Sequence, residues 1–201
     1  MEKQIAQPSI KLGLCLGGSE LPIAIQAHVF SWLHLAELQT LMTASKGLHS
    51  AVLRSTGQME VAMVDASTAP FALKRYKRLR RIDWWSAKRH DLLAKLLVQN
   101  AATLTSVDTG SARDSTELLD ALARCRKLRT LRSQLSLSAE EVQRLAAACP
   151  ELEHVELPYV RDRRAVLQAP WQLRSLYLPL VDVSQELITL LASKRSLTSV
   201  A

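Results

Sequence analysis

Six short leucine-led segments recur through the last three-fifths of this chain at an almost constant interval. They are LRRIDW from Leu79, LTSVDT from Leu104, LRTLRS from Leu128, LEHVEL from Leu152, LRSLYL from Leu173 and LTSV from Leu197. Their first leucines stand 25, 24, 24, 21 and 24 residues apart. A beat of about two dozen residues describes a supersecondary unit, not a domain. Such a unit cannot bury its own apolar face, so it must stack on copies of itself.

The intervals between these kernels read as helices. Leu92, Leu93, Leu96 and Leu97 form one apolar stripe at the helical period. Leu118, Leu119 and Leu122 repeat it, as do Val142, Leu145, Ala146 and Cys149, and again Leu187, Ile188 and Leu191. Asp114 with Glu117, Ser138 with Glu141, and Asp182 with Gln185 have capping-box spacing, in which each side chain satisfies first-turn amides of the other. Pro150 stops one helix. The fourth interval, RDRRAVLQAP, is three residues short, which predicts a stunted helix or an irregular loop.

Strand, turn, helix and return at this period predict an α/β solenoid with parallel strands. Kernel positions 1 and 4 point inward against the helix stripe. Six strands at about 4.8 Å make an arc of roughly 24 Å. Positions 3 and 5 face outward on the concave side: Arg81 and Asp83, Ser106 and Asp108, Thr130 and Arg132, His154 and Glu156, Ser175 and Tyr177. This column is polar and mixed in sign. It is either a solvated sheet face or a surface for a protein partner, the usual use of a concave solenoid face.

Composition agrees. Leucine makes up 36 of the 201 residues and aromatics only 4%, which suits helical or leucine-repeat packing better than a sandwich. No apolar run approaches the roughly 18 residues of a membrane span, so no membrane role is expected. Ile10–Gly18 is short and broken by glycine, and lacks a secretory signal pattern. Three widely spaced cysteines, Cys15, Cys125 and Cys149, do not make a disulfide framework and fit a reducing compartment, cytoplasmic or nuclear.

The phrase LAAACPELEHVELP, Leu145 to Pro158, resembles the cysteine-containing leucine-rich repeats of the ribonuclease-inhibitor-like superfold, and LARCRKLRTL from Leu122 resembles it without the proline. Cys125 and Cys149 each stand three residues before a kernel leucine. Ala101, Pro170 and Lys194 hold the same position in other units, so the cysteines read as small turn fillers and not as ligands. The resemblance covers Leu79 to Ala201.

Leu21 to Leu53 carries three short apolar helices. Pro22 suits a first turn. Ile25, Val29 and Leu33 run along one face, Leu35, Leu38, Leu41 and Met42 form a second helix, and Leu48, Val52 and Leu53 a third. Leu21–Pro22, the apolar first helix with Phe30, Glu37–Leu38 and Ala44–Ser45–Lys46 resemble the F-box, with departures at Ala24 and Leu48. The resemblance implies binding to the Skp adaptor of a cullin-containing ubiquitin ligase, while the repeats hold a protein substrate. It carries over to Leu21, Pro22, Ile25, Val29, Phe30, Leu33, Leu38 and Leu41 as the adaptor face or the module's own core. The alternative is a repeat scaffold whose N-terminal helices merely cap the solenoid.

The expected organisation is a tail over 1–19, an F-box-like three-helix module over 20–56, a connector or cap over 57–78 and a leucine-rich repeat solenoid over 79–201. In the connector, Val61, Met63 and Val64 suit a capping strand and Pro70 to Arg78 a short helix. The chain stops inside a kernel, at Val200–Ala201, leaving an open leucine edge that implies either a fragment or a covering partner.

Catalytic constellations are missing. His28, His34, His49, His90 and His154 share no metal-binding spacing. LGLCLGGS lacks the lysine of a phosphate loop, and no nucleophile elbow occurs. We therefore expect no enzyme, no cofactor, no metal and no small-molecule substrate. The net charge of +7 gathers at Lys74, Arg75, Lys77, Arg78, Arg80 and Arg81. This run admits a solvated turn, a contact for an acidic partner or the import machinery, or nucleic acid; scarce aromatics argue against the last.

Overall fold

The computed structural model describes residues 15–16, 19–30, 33, 37–38, 40–41, 51–52, 60–112, 115–178, 185–194 and 196–200. Most of the expected tail and much of the second and third N-terminal helices, including Leu35, Met42, Leu48 and Leu53, lie outside them, as do Ala44, Ser45 and Lys46.

Within the tail, β1 (Cys15–Leu16) pairs antiparallel with β2 (Ser19–Glu20). Helix α1 spans Ile23–Phe30, opened by Pro22, whose carbonyl accepts from Ile25 and Gln26. Further helical residues are Glu37, Leu38, Thr40 and Leu41, then Ala51 and Val52.

A seven-stranded parallel sheet follows, its strands in sequence order. It runs β3 (Val61–Val64), α2 (Ala69–Arg75), β4 (Arg81–Trp84), α3 (His90–Asn100), β5 (Ser106–Asp108), α4 (Thr116–Leu122), β6 (Thr130–Arg132), α5 (Ala139–Ala148), β7 (His154–Glu156), α6 (Arg163–Gln168), β8 (Ser175–Tyr177), α7 (Gln185–Ser193) and β9 (Ser199–Val200). Parallel neighbours need a crossover, and every crossover here carries a helix. All six kernels are strands of this sheet, and the expected cap strand is its first member. The result is an α/β repeat solenoid.

Register follows the kernels. Arg81, Ser106, Thr130, His154, Ser175 and Ser199 lie side by side. Kernel leucines 79, 104, 128, 152 and 173 are no more than 1% exposed, as are Ile82, Val107, Leu131 and Leu176, with Val155 at 3%. The helix stripes meet them: Leu92, Leu93, Leu96, Leu97, Leu118, Leu119, Leu122, Val142, Leu145 and Ala146 are all buried. The short fourth interval is a stunted helix, α6.

Caps were partly foreseen. Ser138 and Glu141 form the expected capping box. α4 is capped by Ser115, whose hydroxyl accepts from Leu118 N at 3.2 Å. The expected Asp114 and Asp182 lie outside the described residues. Asp162, not expected as a cap, receives Arg164 N and Ala165 N at the start of α6. In α7 the expected stripe member Ile188 is instead 46% exposed, because the helix turns Leu190 and Leu191 toward the core.

The small-turn position has a second use. Cys125 and Cys149 are fully buried free thiols. Cys125 Sγ donates to Ala121 O, and Cys149 Sγ reaches Leu122 O and Cys125 O of the preceding coil. Burial pushes the Cys125 thiol up to about 12, helped by Cys149, and that of Cys149 to about 11. At the same position Lys194 donates to Ala169 O at 2.6 Å. Buried Asn100 plays a related part near the first coils, accepting from Leu79 N and donating to Leu96 O and Tyr76 O.

Candidate functional site

Strand alternation sets the face. In β4 to β8 the middle kernel residue is buried and its neighbours turn out: Arg81, Arg132, His154 and Tyr177 are exposed, and Asp83, Ser106, Asp108, Thr130, Glu156 and Ser175 are half-buried, whereas in β9 Val200, expected to point inward, is 45% exposed. The parallel register brings these ten residues together as two columns across five adjacent strands, as their kernel positions predict.

The charges on this face largely compensate one another. Arg81 Nε lies 3.0 Å from both carboxylate oxygens of Asp83. That bond, with the nearby charge of Asp108, raises the Arg81 pKa against the opposing effect of burial. Arg132 Nε reaches Glu156 at 3.2 Å. Exposed ion pairs of this kind contribute at most about 1 kcal/mol each. Their effect is to leave the face close to neutral and rich in hydrogen-bonding groups.

A third column went unread in the sequence. The second residue of each kernel also lies on the ladder: Thr105 N bonds to Arg80 O, Arg129 N to Thr105 O, Glu153 N to Arg129 O, Arg174 N to Glu153 O and Thr198 N to Arg174 O. Its side chains pair along the ribbon, with Arg174–Glu153 at 3.4 Å, Arg129–Glu153 at 3.9 Å and Arg80–Glu60 at 3.2 Å. The signal was present: every kernel has a polar residue at its second position.

At the other ends of the strands, a groove of about 340 Å³ crosses β4 to β7. Asp108, Arg132 and Glu156 lie along it, with Trp85, Gly110, Ser111, Gln134 and Pro158 at its sides. Trp84 and Trp85 divide as their alternation requires: Trp84 is buried and Trp85 is 68% exposed. Gly110 has φ +54°, and a Cβ there would collide with the Trp84 carbonyl oxygen, so this wall of the groove requires glycine.

The eight N-terminal residues separate into three groups. Pro22, Ile25 and Val29 are exposed, joined by Ile23, while Leu21, Leu33 and Leu41 are half-buried. Phe30 and Leu38, at 1% and 0% exposure, belong to the same buried apolar cluster as Ala62 and Val64 of β3. They are core, because a side chain without accessible surface has nothing to offer a partner. Apolar residues on both sides of α1 explain the division: one side packs and the other is left over.

Among the described residues, no three His, Cys, Asp or Glu side chains are grouped to hold a metal ion, and no helix is long and apolar enough to cross a membrane. No family model and no curated protein matches the chain.

Proposed function

We propose that this chain is a non-catalytic protein-interaction protein: the substrate-receptor subunit of a Skp–cullin–F-box ubiquitin ligase, with its leucine-rich repeats as the substrate-binding part. One observation carries the reading. Helix α1, which follows the F-box-like Leu21–Pro22 step, leaves Ile23, Ile25 and Val29 between 39% and 48% exposed. Clustered apolar exposure on a short helix is costly unless a partner covers it. The self-compensated ribbon supports the second half of the reading, since a near-neutral polar face suits a folded protein or peptide. The receptor's contribution would be proximity, raising the local concentration of substrate lysines at a charged enzyme.

A second reading has its own support. Phe30, Leu38, Ala51 and Val52 join the buried cluster that includes the first strand, as a simple solenoid cap would. One experiment separates the two. Purified Skp adaptor is titrated with the wild-type chain and with an Ile25→Asp, Val29→Asp double variant, which changes only exposed positions. The ligase reading expects saturable binding by the wild type and at least a hundredfold loss in the variant, with unchanged circular dichroism. Absence of binding by the wild type leaves the cap reading.

A further inference from the structure

The cationic run between Lys74 and Arg81 is not one patch in the folded chain. Arg80 is paired with Glu60, Arg81 with Asp83, and Lys77 Nζ donates to Leu73 O and Gln99 Oε1 at 3.1 and 2.9 Å. Lys74, Arg75 and Arg78 are exposed and have no carboxylate partner among the described residues. Stacking then adds what the linear sequence keeps apart. Arg124, Arg126 and Lys127, in the turn two coils on, are also exposed and without a carboxylate partner there. Arg78, Thr103 and Lys127 each stand three residues before the first residue of adjacent, in-register strands. Arg78 and Lys127 therefore lie two rungs apart, about 10 Å at the usual strand spacing. The turn between them, Ala101–Ala102–Thr103, carries no charge, and the Thr103 hydroxyl is engaged with Leu79 O at 2.7 Å.

We infer that this edge of the solenoid, at the N-terminal ends of β4 and β6, binds a carboxylate-rich segment of a partner protein. The argument is charge complementarity. The ribbon face neutralises itself, whereas six cations on this edge have no carboxylate partner among the described residues, Glu151 of the next turn being paired with Arg129, in a chain of formal charge +7. Helix-dipole compensation accounts for Lys74 and Arg75 in the last turn of α2, but Arg78, Arg126 and Lys127 lie in turns. A distance of about 10 Å is roughly three residues of polyproline II backbone, whose three residues per turn put i and i+3 on one side, so acidic side chains at that spacing meet both turns. Single-stranded nucleic acid fits less well, because its bases need stacking platforms. Tyr76, the aromatic in the run, is 1% exposed, and Trp85 sits beyond the opposite end of β4. The inference does not depend on the adaptor reading.

The test is fluorescence anisotropy with the full chain and a labelled ten-residue peptide bearing glutamate at every third position. An otherwise identical glutamine peptide and a single-stranded DNA 12-mer serve as comparisons. The glutamate peptide is expected to bind, more weakly as salt rises. Arg78→Glu with Lys127→Glu should reduce its affinity at least tenfold. Lys88→Glu with Lys95→Glu, an equal change in net charge elsewhere, should reduce it less than twofold. Arg126→Gln with Lys127→Gln gives a milder variant should the reversal disturb folding, and should weaken binding at least threefold. Absence of glutamate-peptide binding at low salt, equal loss in the two charge-reversal variants, equal binding of the glutamine peptide, or tighter binding of DNA that is lost on the same reversal would each overturn the inference.

Discussion

The middle coils and the two described ends of this molecule use the same amino acids and obtain different burial from them. Between β4 and β8, the inward kernel residues are at most 3% exposed. In α1, Ile23, Ile25 and Val29 are 39% to 48% exposed, and at the other end Ile188 and Val200 stand at 46% and 45%. Composition does not explain the contrast, because both groups are branched aliphatic residues in helices or strands. Neighbours explain it. A coil in the middle is covered on both sides by its own repeats, whereas a coil at a described end has a described repeat on one side only. Burial in a stacked fold is therefore a property of position in the stack, and an apolar side chain at an end is available for other contacts.

The contrast breaks most visibly if a middle residue proves dispensable. Leu131 lies in β6, between β5 and β7, and is 0% exposed. Leu131→Ala removes its contacts with the stripe beneath it and leaves a cavity that two flanking coils cannot collapse into. Urea denaturation should show a loss of about 3 kcal/mol, within the range for fully buried leucine. A loss below about 1 kcal/mol would mean that the ribbon interior is loosely packed and that the middle differs little from the ends.

The paired thiols sharpen the same contrast from inside. Cys125 and Cys149 are held protonated well above their ordinary value of 9.0, to about 12 and about 11, chiefly by burial. Unfolded thiols ionise near 9.0, so the folded state binds more protons between that value and its own raised ones. Stability from this source is complete below pH 9 and lost as pH rises toward 11 to 12. Each thiol contributes a downward slope of at most about 1.4 kcal/mol per pH unit. Denaturation measured from pH 8 to pH 10.5 should fall more steeply for the wild type than for Cys125→Ala with Cys149→Ala. Parallel slopes would place the thiols in contact with water.

How much of this was legible in the sequence depends on whether a feature is local or comes from stacking. The kernels are local patterns repeated, so the strands, their register, the inward leucines and the concave columns could all be read from spacing. Ser138 with Glu141 was readable for the same reason. The Arg80–Arg129–Glu153–Arg174 column needed only the same alignment carried one position further. The apposition of Arg78 with Lys127 could be read from the same spacing, since each stands three residues before an in-register strand. Two features were beyond reach because they depend on which atoms lie next door. The demand for glycine at Gly110 arises from the Trp84 carbonyl. In α1 the periodicity of Ile25, Val29 and Leu33 marks an apolar face, but only packing tells that Phe30, one residue on from Val29, is the side chain that goes inside.

The smallest effect is expected where the stack leaves a side chain half uncovered. Ile188→Ala in α7 removes the same number of carbons as Leu131→Ala, so the two variants compare position with chemistry held nearly constant. At 46% exposure Ile188 has about half its surface to lose, and alanine returns part of that through its higher helix propensity, worth a few tenths of a kcal/mol. The net change in urea denaturation should stay below about 1 kcal/mol, a third or less of the Leu131 value. A loss as large as that of Leu131 would require the outer side of α7 to be covered in solution. Repeating the measurement at several protein concentrations would then identify the cover: a stability that rises with concentration means a second copy of the chain, and one that does not means a part of the same chain folding over the helix.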